Sequence, residues 1–257
     1  ASRRSSPKQL LALGQDPDVS LLAATAARLF LALSPARVIV VTAAEQAPAV
    51  AAALPDLPRE NILSEPTGKN TAAAVGLAAV YARARDPGAV LGVVPADQHV
   101  ADVAAFSATF AAAFALAEAD DAIVTIGIPP SRPETGFGYL ELGEPLAAMS
   151  AGAYRVLRFV EKPDAETAER YFAGNQHLWN SGMFFFSATR ILAELASHLP
   201  DTSRTLDEVA HALADRGRGA AAAATARAYP HLESISIDHA VMEKTEGILT
   251  LIGDFGW

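Results

Sequence analysis

No cysteine occurs in the sequence, so it has neither a disulfide framework nor a thiolate metal site, which is compatible with a reducing, cytoplasmic location. Basic residues are scarce: 20 Lys and Arg face 29 Asp and Glu, for a net charge of −9. A nucleic-acid surface needs clustered cations along a phosphate backbone, so no nucleic-acid partner is expected. Any phosphate must be met locally. The six histidines are scattered without ligand spacing and no Ser/His/Asp order stands out, which argues against zinc and acyl-enzyme chemistry. Long apolar runs are missing too. The most apolar helical stretch, 103–117, reads as too short and too Ala-rich to span a bilayer, and no signal-peptide pattern opens the chain, so no membrane partner is expected. There is no internal repeat and no Walker signature.

What remains is ample for one large α/β core: 257 residues, 51% apolar. Lysine is rarer than arginine by far. Four of the 20 basic residues are Lys, at Lys8, Lys69, Lys162 and Lys244. In so Arg-rich a chain, a retained Lys hints that a compact point charge is wanted.

The run Ala89-Val-Leu-Gly-Val-Val94 reads as a strand buried on both faces at the centre of a parallel sheet. It delivers Asp97, after Pro95, to a carboxyl strand end, where open α/β sheets hold ligands. Asp97 then serves a metal or substrate, or simply caps a turn. Ser20 begins a helical pattern over 20–33, 37–42 reads as a second buried strand, and 47–54 as a short helix. Glu65-Pro-Thr-Gly68-Lys69-Asn70-Thr71 combines a tight loop, a cation and a following helix with free N–H groups, which suits an anion or a polar ring; plain capping by Asn70 or Thr71 gives the same pattern.

Phe106, Phe110 and Phe114 fall four apart and read as core packing. Strands are expected over 122–128 and 154–160. Helices are expected over 165–173, capped by Asp164, from Ser187 to about 198, and as one or two pieces over 205–228. Glycines beside aromatics in Thr135-Gly-Phe-Gly138-Tyr would suit a sugar or a kinked hairpin. Glu161-Lys162 could serve a ligand's hydroxyls and phosphate, or form a surface ion pair. Asn180 carries both donor and acceptor and can read a sugar hydroxyl.

Together these stretches resemble the sugar-nucleotidyltransferase superfamily, most closely the bacterial mannose-1-phosphate guanylyltransferases, over nearly the whole chain. Eight motifs stand in the family's order: Ser-Arg-Arg-Ser-Ser-Pro-Lys-Gln at 2–9, Glu-Pro-Thr-Gly-Lys-Asn-Thr-Ala at 65–72, Val-Pro-Ala-Asp at 94–97, Thr-Gly-Phe-Gly-Tyr at 135–139, Phe-Val-Glu-Lys-Pro at 159–163, Trp-Asn-Ser-Gly-Met-Phe at 179–184, Met-Glu-Lys at 242–244 and Asp-Phe-Gly-Trp at 254–257. The Glu-Pro-x-Gly-Lys-Asn-Thr form favours a guanylyltransferase over uridylyl, adenylyl and thymidylyl relatives.

The resemblance implies a Rossmann-like three-layer α/β fold with a mixed, mostly parallel central sheet. It implies transfer of GMP from GTP to mannose 1-phosphate, releasing pyrophosphate. By the same resemblance Lys8 meets the nucleotide phosphates, while Glu65, Lys69, Asn70 and Thr71 lie along base and ribose. Asp97 holds Mg²⁺; Gly138, Glu161 and Asn180 surround the mannose, and Lys162 meets its phosphate. Lys8, Asp97 and Lys162 are thus the catalytic candidates. Three departures stand out. The family's first strand and Gly-Gly-x-Gly-x-Arg loop would precede residue 1, its second metal carboxylate would follow Trp257, and Gln98 intervenes where the family often has Asp-His. The expectation is therefore a catalytic domain over 1–257, lacking that strand and loop and truncated at its C-terminus. A relative using another base or sugar, or a regulatory subunit that senses sugar nucleotides, are the alternatives, and a homo-oligomer is left open.

Overall fold

The structure, a computed structural model, describes residues 8–11, 19–146 and 152–257; residues 2–7 of the opening motif lie outside it. In chain order it forms α1 (Leu21–Phe30), β1 (Val40–Ala43), α2 (Ala47–Ala53), β2 (Ile62–Glu65), α3 (Asn70–Arg85) and β3 (Val90–Val93). There follow α4 (Val103–Asp120), β4 (Val124–Ile128), β5 (Tyr139–Pro145), β6 (Ala153–Val160), α5 (Ala165–Gly174) and β7 (His177–Ser187). Next come α6 (Ala188–His198), α7 (Pro200–Ala228) and β8 (Leu249–Ile252).

Helix starts follow local chemistry. Ser20, Asp164 and Ser187 each accept the backbone N–H three residues on, at 3.2, 2.8 and 2.9 Å, which satisfies one of the orphan donors of α1, α5 and α6. β1 starts later than expected because Pro35–Arg37 forms a 3-10 turn. The Ala-rich helix α7 begins at Pro200 and breaks at Gly217, whose φ of 77° only glycine adopts freely.

The strands make a six-stranded sheet, ordered β3-β7-β4-β8-β6-β5, and a separate parallel pair, β1–β2. β7 alternates across it. Leu178, Phe184 and Phe186 join a core with residues of α3, α6 and α7, while Trp179, Met183 and Phe185 join a second core with α4. Helices thus cover both faces, giving three layers. The Phe stripe of α4 packs as expected: Phe110 meets Phe185 edge-on at 5.2 Å, and Phe106 meets Phe255 at 5.5 Å. Each such fully buried ring contributes about 1.5–3 kcal/mol.

Three expectations need correction. Among the described ladders only β1–β2 and β4–β8 are parallel; the others are antiparallel, because β7 and β6 run back between strands of the opposite sense. An apolar run specifies burial, not direction. β3 is not central but an edge of the six-stranded sheet among the described residues, and all four of its residues are only partly buried. Finally, α4 extends to Asp120: with 18 residues and mean hydropathy 1.3, it is long and apolar enough to cross a membrane by length and composition. Phe106 and Phe110 are nevertheless buried on the sheet, and Phe114 packs partly buried beside them.

Candidate active site

Two half-sites form at neighbouring strand ends. In the first, the chain leaving β3 turns at Pro95 and presents Asp97, whose Oδ2 lies 3.0 Å from Lys8 Nζ. The side chains are 39% and 51% exposed, so the pair is worth at most about 1 kcal/mol and opens readily for another ligand. It borders a cavity of about 290 Å³ lined by Gln9, Thr42, Pro95 and Asp97 among others. Gln46 Oε1 accepts from both Gln9 Nε2 and Thr42 Oγ1, at 3.3 and 3.5 Å, which steadies Gln9 next to Lys8.

The loop after β2 starts at Glu65, which pairs with Ala43 of β1. Glu65 is buried, and its carboxylate accepts the Tyr229 hydroxyl at 2.6 Å and the Lys69 backbone N–H. Burial pushes its pKa up, and these two hydrogen bonds oppose the rise. Asn70 sits in the left-handed region (φ 64°), with its Oδ1 accepting the Thr71 N–H at 2.9 Å. Thr71 Oγ1 accepts the Ile237 N–H at 2.8 Å, and the Ala72 N–H donates to the Ile235 carbonyl at 3.2 Å. The expected free N–H groups at the start of α3 are therefore partly committed: those of Thr71 and Ala72 already have protein partners.

The second half-site gathers Gly138, Glu161, Lys162 and Asn180. The Asn180 N–H donates to the Gly138 carbonyl at 2.8 Å. A Cβ at Gly138 would come 2.5 Å from Glu161 Oε2, so any larger residue would require that carboxylate to move. Glu161, whose side chain is 10% exposed, pairs with Lys162 Nζ at 2.6 Å. This hydrogen bond is the main reason the Lys162 pKa is raised, with the Glu161 and Asp238 charges adding to it against burial. The Glu161 N–H is held by Glu243 Oε1 at 2.9 Å.

Asn180 is buried, and its Oδ1 accepts the Gly182 N–H at 3.0 Å while its Nδ2 donates to Asp238 Oδ1 at 3.0 Å. An amide has a second N–H, which leaves Asn180 one donor for a ligand. Burial, then the nearby Glu161 charge, pushes the Asp238 carboxyl up. The halves adjoin, since Pro95 and Gln98 touch residues 181 and 182, next to Asn180.

The nucleotidyl transferase family pattern matches residues 2–224. The chain belongs to the nucleotidyl transferase family. The chain is 42% identical over 199 residues to the xanthan biosynthesis protein XanB of Xanthomonas campestris pv. campestris, covering 76% of this chain and 40% of that one. It is 40% identical over 205 residues to a mannose-1-phosphate guanylyltransferase of Escherichia coli, covering 77% and 41%. The matched segment thus spans about two fifths of the length of these relatives. A solved Thermus thermophilus protein, described as a mannose-1-phosphate geranyltransferase, superposes with a TM-score of 0.83 at 33% identity, over 100% of this chain and 70% of that one.

The residues taken alone did not point to several groups of this candidate site. Glu243, in the Met-Glu-Lys motif, and Asp238, just before it, hold the Glu161 backbone and Asn180. Tyr229, which caps the end of the Ala-rich helix α7, holds Glu65. The one available signal was an acid opening the short apolar run 240–242. Of the expected nucleotide residues, Glu65 proves buried and engaged, while Lys69, Asn70 and Thr71 stand at the loop surface or half-buried.

Proposed function

We propose that this chain transfers GMP from GTP to mannose 1-phosphate, yielding GDP-mannose and pyrophosphate. The observation that carries the reading is the bond from Gln98 to Ser181, which joins the segment of the Lys8–Asp97 pair to the strand of Asn180, itself beside Gly138 and the Glu161–Lys162 pair. The relatives named as mannose-1-phosphate guanylyltransferases support the choice of base and sugar. A sugar-phosphate oxygen attacks the α-phosphorus in line; the new P–O bond forms as the bond to pyrophosphate breaks. Positioning and charge neutralisation suffice, and no covalent enzyme intermediate is required.

In this reading Lys8 meets the nucleotide phosphates, and Lys69, Asn70 and Thr71 flank base and ribose. Glu65 acts there by holding the Lys69 amide. Lys162 meets the sugar phosphate, and Glu161, Asn180 and the Gly138 backbone meet the sugar hydroxyls. Asp97 fits Mg²⁺: no cluster of three or more candidate ligands exists among the described residues, but this ion binds through one or two carboxylates plus phosphate oxygens. Bound there, Mg²⁺ would supply charge neutralisation at the phosphates.

The test supplies GTP, mannose 1-phosphate and Mg²⁺ to the full-length protein and follows pyrophosphate. Release is expected, and silence there with turnover of UTP and glucose 1-phosphate would overturn the base and sugar. Asp97→Asn should fold normally and lose about 10²–10³-fold or more in kcat; unchanged activity would remove Asp97 from the metal site.

A further inference from the structure

The bulge in β7 is an irregularity that the transfer reading does not itself account for. Thr125 faces Phe184 and Gly127 faces Asn180, so residues 181–183 oppose Ile126 alone. Such a bulge leaves residues without strand partners. Here the Ser181 carbonyl is satisfied by Gln98 Nε2 at 2.5 Å, from a segment 83 residues away in sequence. Pro95 closes on the same bulge: a Cβ at Gly182 (φ +72°) would lie 3.3 Å from Pro95 Cγ.

Gln98 is itself anchored from behind. Arg28 of α1, 8% exposed, donates through Nη2 to the Gln98 carbonyl at 3.1 Å and to Thr25 Oγ1 at 3.0 Å, and its guanidinium stands 5.8 Å from the Phe106 ring centroid. A buried guanidinium is costly unless it is hydrogen-bonded, and here the Gln98 carbonyl and the Thr25 hydroxyl are its partners. Asp97 immediately precedes Gln98, and Asn180 immediately precedes Ser181. One side chain therefore ties the metal-carrying segment to the sugar-reading strand.

We infer that Gln98 is a positioning residue that caps the bulge carbonyl of β7 and so sets the spacing between Asp97 and Asn180, with Arg28 as its anchor. The kinetic part of this inference rests on the transfer reading above. In-line transfer requires both substrates at near-attack distance, and a displacement of about 1 Å costs about 10²-fold in rate.

The test uses the full-length protein. Gln98→Met keeps the side-chain length without the donor, and Gln98→His keeps an N–H donor. For Gln98→Met, kcat should fall about 30- to 100-fold while the KM values for GTP and mannose 1-phosphate stay within about threefold, and Gln98→His should recover at least about tenfold of that loss. Without any substrate, amide exchange at Gly182 and Met183 should quicken at least about tenfold in Gln98→Met while β8 keeps its rates. Unchanged exchange at the bulge, a kcat within about threefold of the parent, or equal losses in both variants each overturn the inference. Should the parent turn over neither substrate pair, the transfer reading falls and the exchange result alone judges Gln98. If Gln98→Met does not fold, Arg28→Lys is read in the same two ways.

Discussion

Tyr229→Phe isolates the bond that holds the loop between β2 and α3. Tyr229 is fully buried, with its hydroxyl 2.6 Å from Glu65 Oε1. Phenylalanine keeps the ring volume, so no cavity opens and the hydrogen bond alone is lost. A hydrogen bond to a charged group contributes about 1.5–3 kcal/mol, and a neutral one about 0.5–1.5. At about 2–4 °C per kcal/mol for a domain of this size, Tm should fall by about 3–12 °C at pH 8.

The pH dependence follows from Glu65. Burial holds its folded pKa above the ordinary value. A group raised in this way lends stability that is fully present below its unfolded pKa, about 4.3, and is lost as pH rises through the folded value. Tyr229 opposes the rise, so removing it pushes Glu65 higher still. The gap between parent and variant should then be widest at pH 8 and narrow towards about pH 4, where only a neutral bond is missing. Thermal unfolding followed by circular dichroism at both pH values measures it. In a Glu65→Gln background the Tyr229→Phe loss should be smaller and flat with pH. An equal gap at both pH values, or none, would refute a charge-assisted bond.

Gly138→Ala would place a methyl group 2.5 Å from Glu161 Oε2 and 3.2 Å from Asn180 Cβ. The displaced carboxylate should cost about 10²-fold in kcat/KM for mannose 1-phosphate, with the KM for GTP within about threefold; unchanged steady-state kinetics would deny Glu161 a place at the sugar. Asp238→Asn should leave Tm at pH 8 unchanged or raised by about 1–3 °C, since burial and Glu161 already disfavour the charge there. The carboxyl's raised pKa means its stabilising share is lost as pH rises, so the variant should also flatten the acid side of the Tm profile. A fall of more than about 4 °C at pH 8 would show that Asn180 needs the ionised partner.

Much of the framework was legible from residues alone. The caps at Ser20, Asp164 and Ser187 depend on an amide three residues away, and the Phe stripe of α4 depends on spacing along one helix. The grouping of Gly138, Glu161, Lys162 and Asn180 came from the family resemblance, and the structure places these residues together.

What composition and spacing could not reveal was direction, edge and long-range partner. The apolar content of β3 is the same whether it lies at a sheet's centre or its border, and among the described residues the sheet order, with β7 as its partner, makes it a border. Likewise, Asn180 meets Asp238 across 58 residues, and Glu65 meets Tyr229 across 164. The sequence by itself determined which side chains could bear charge, cap a helix or let the backbone approach. The tertiary structure alone decided which of them are already engaged by one another, because hydrogen bonds between distant segments exist only once the sheet order brings them within reach.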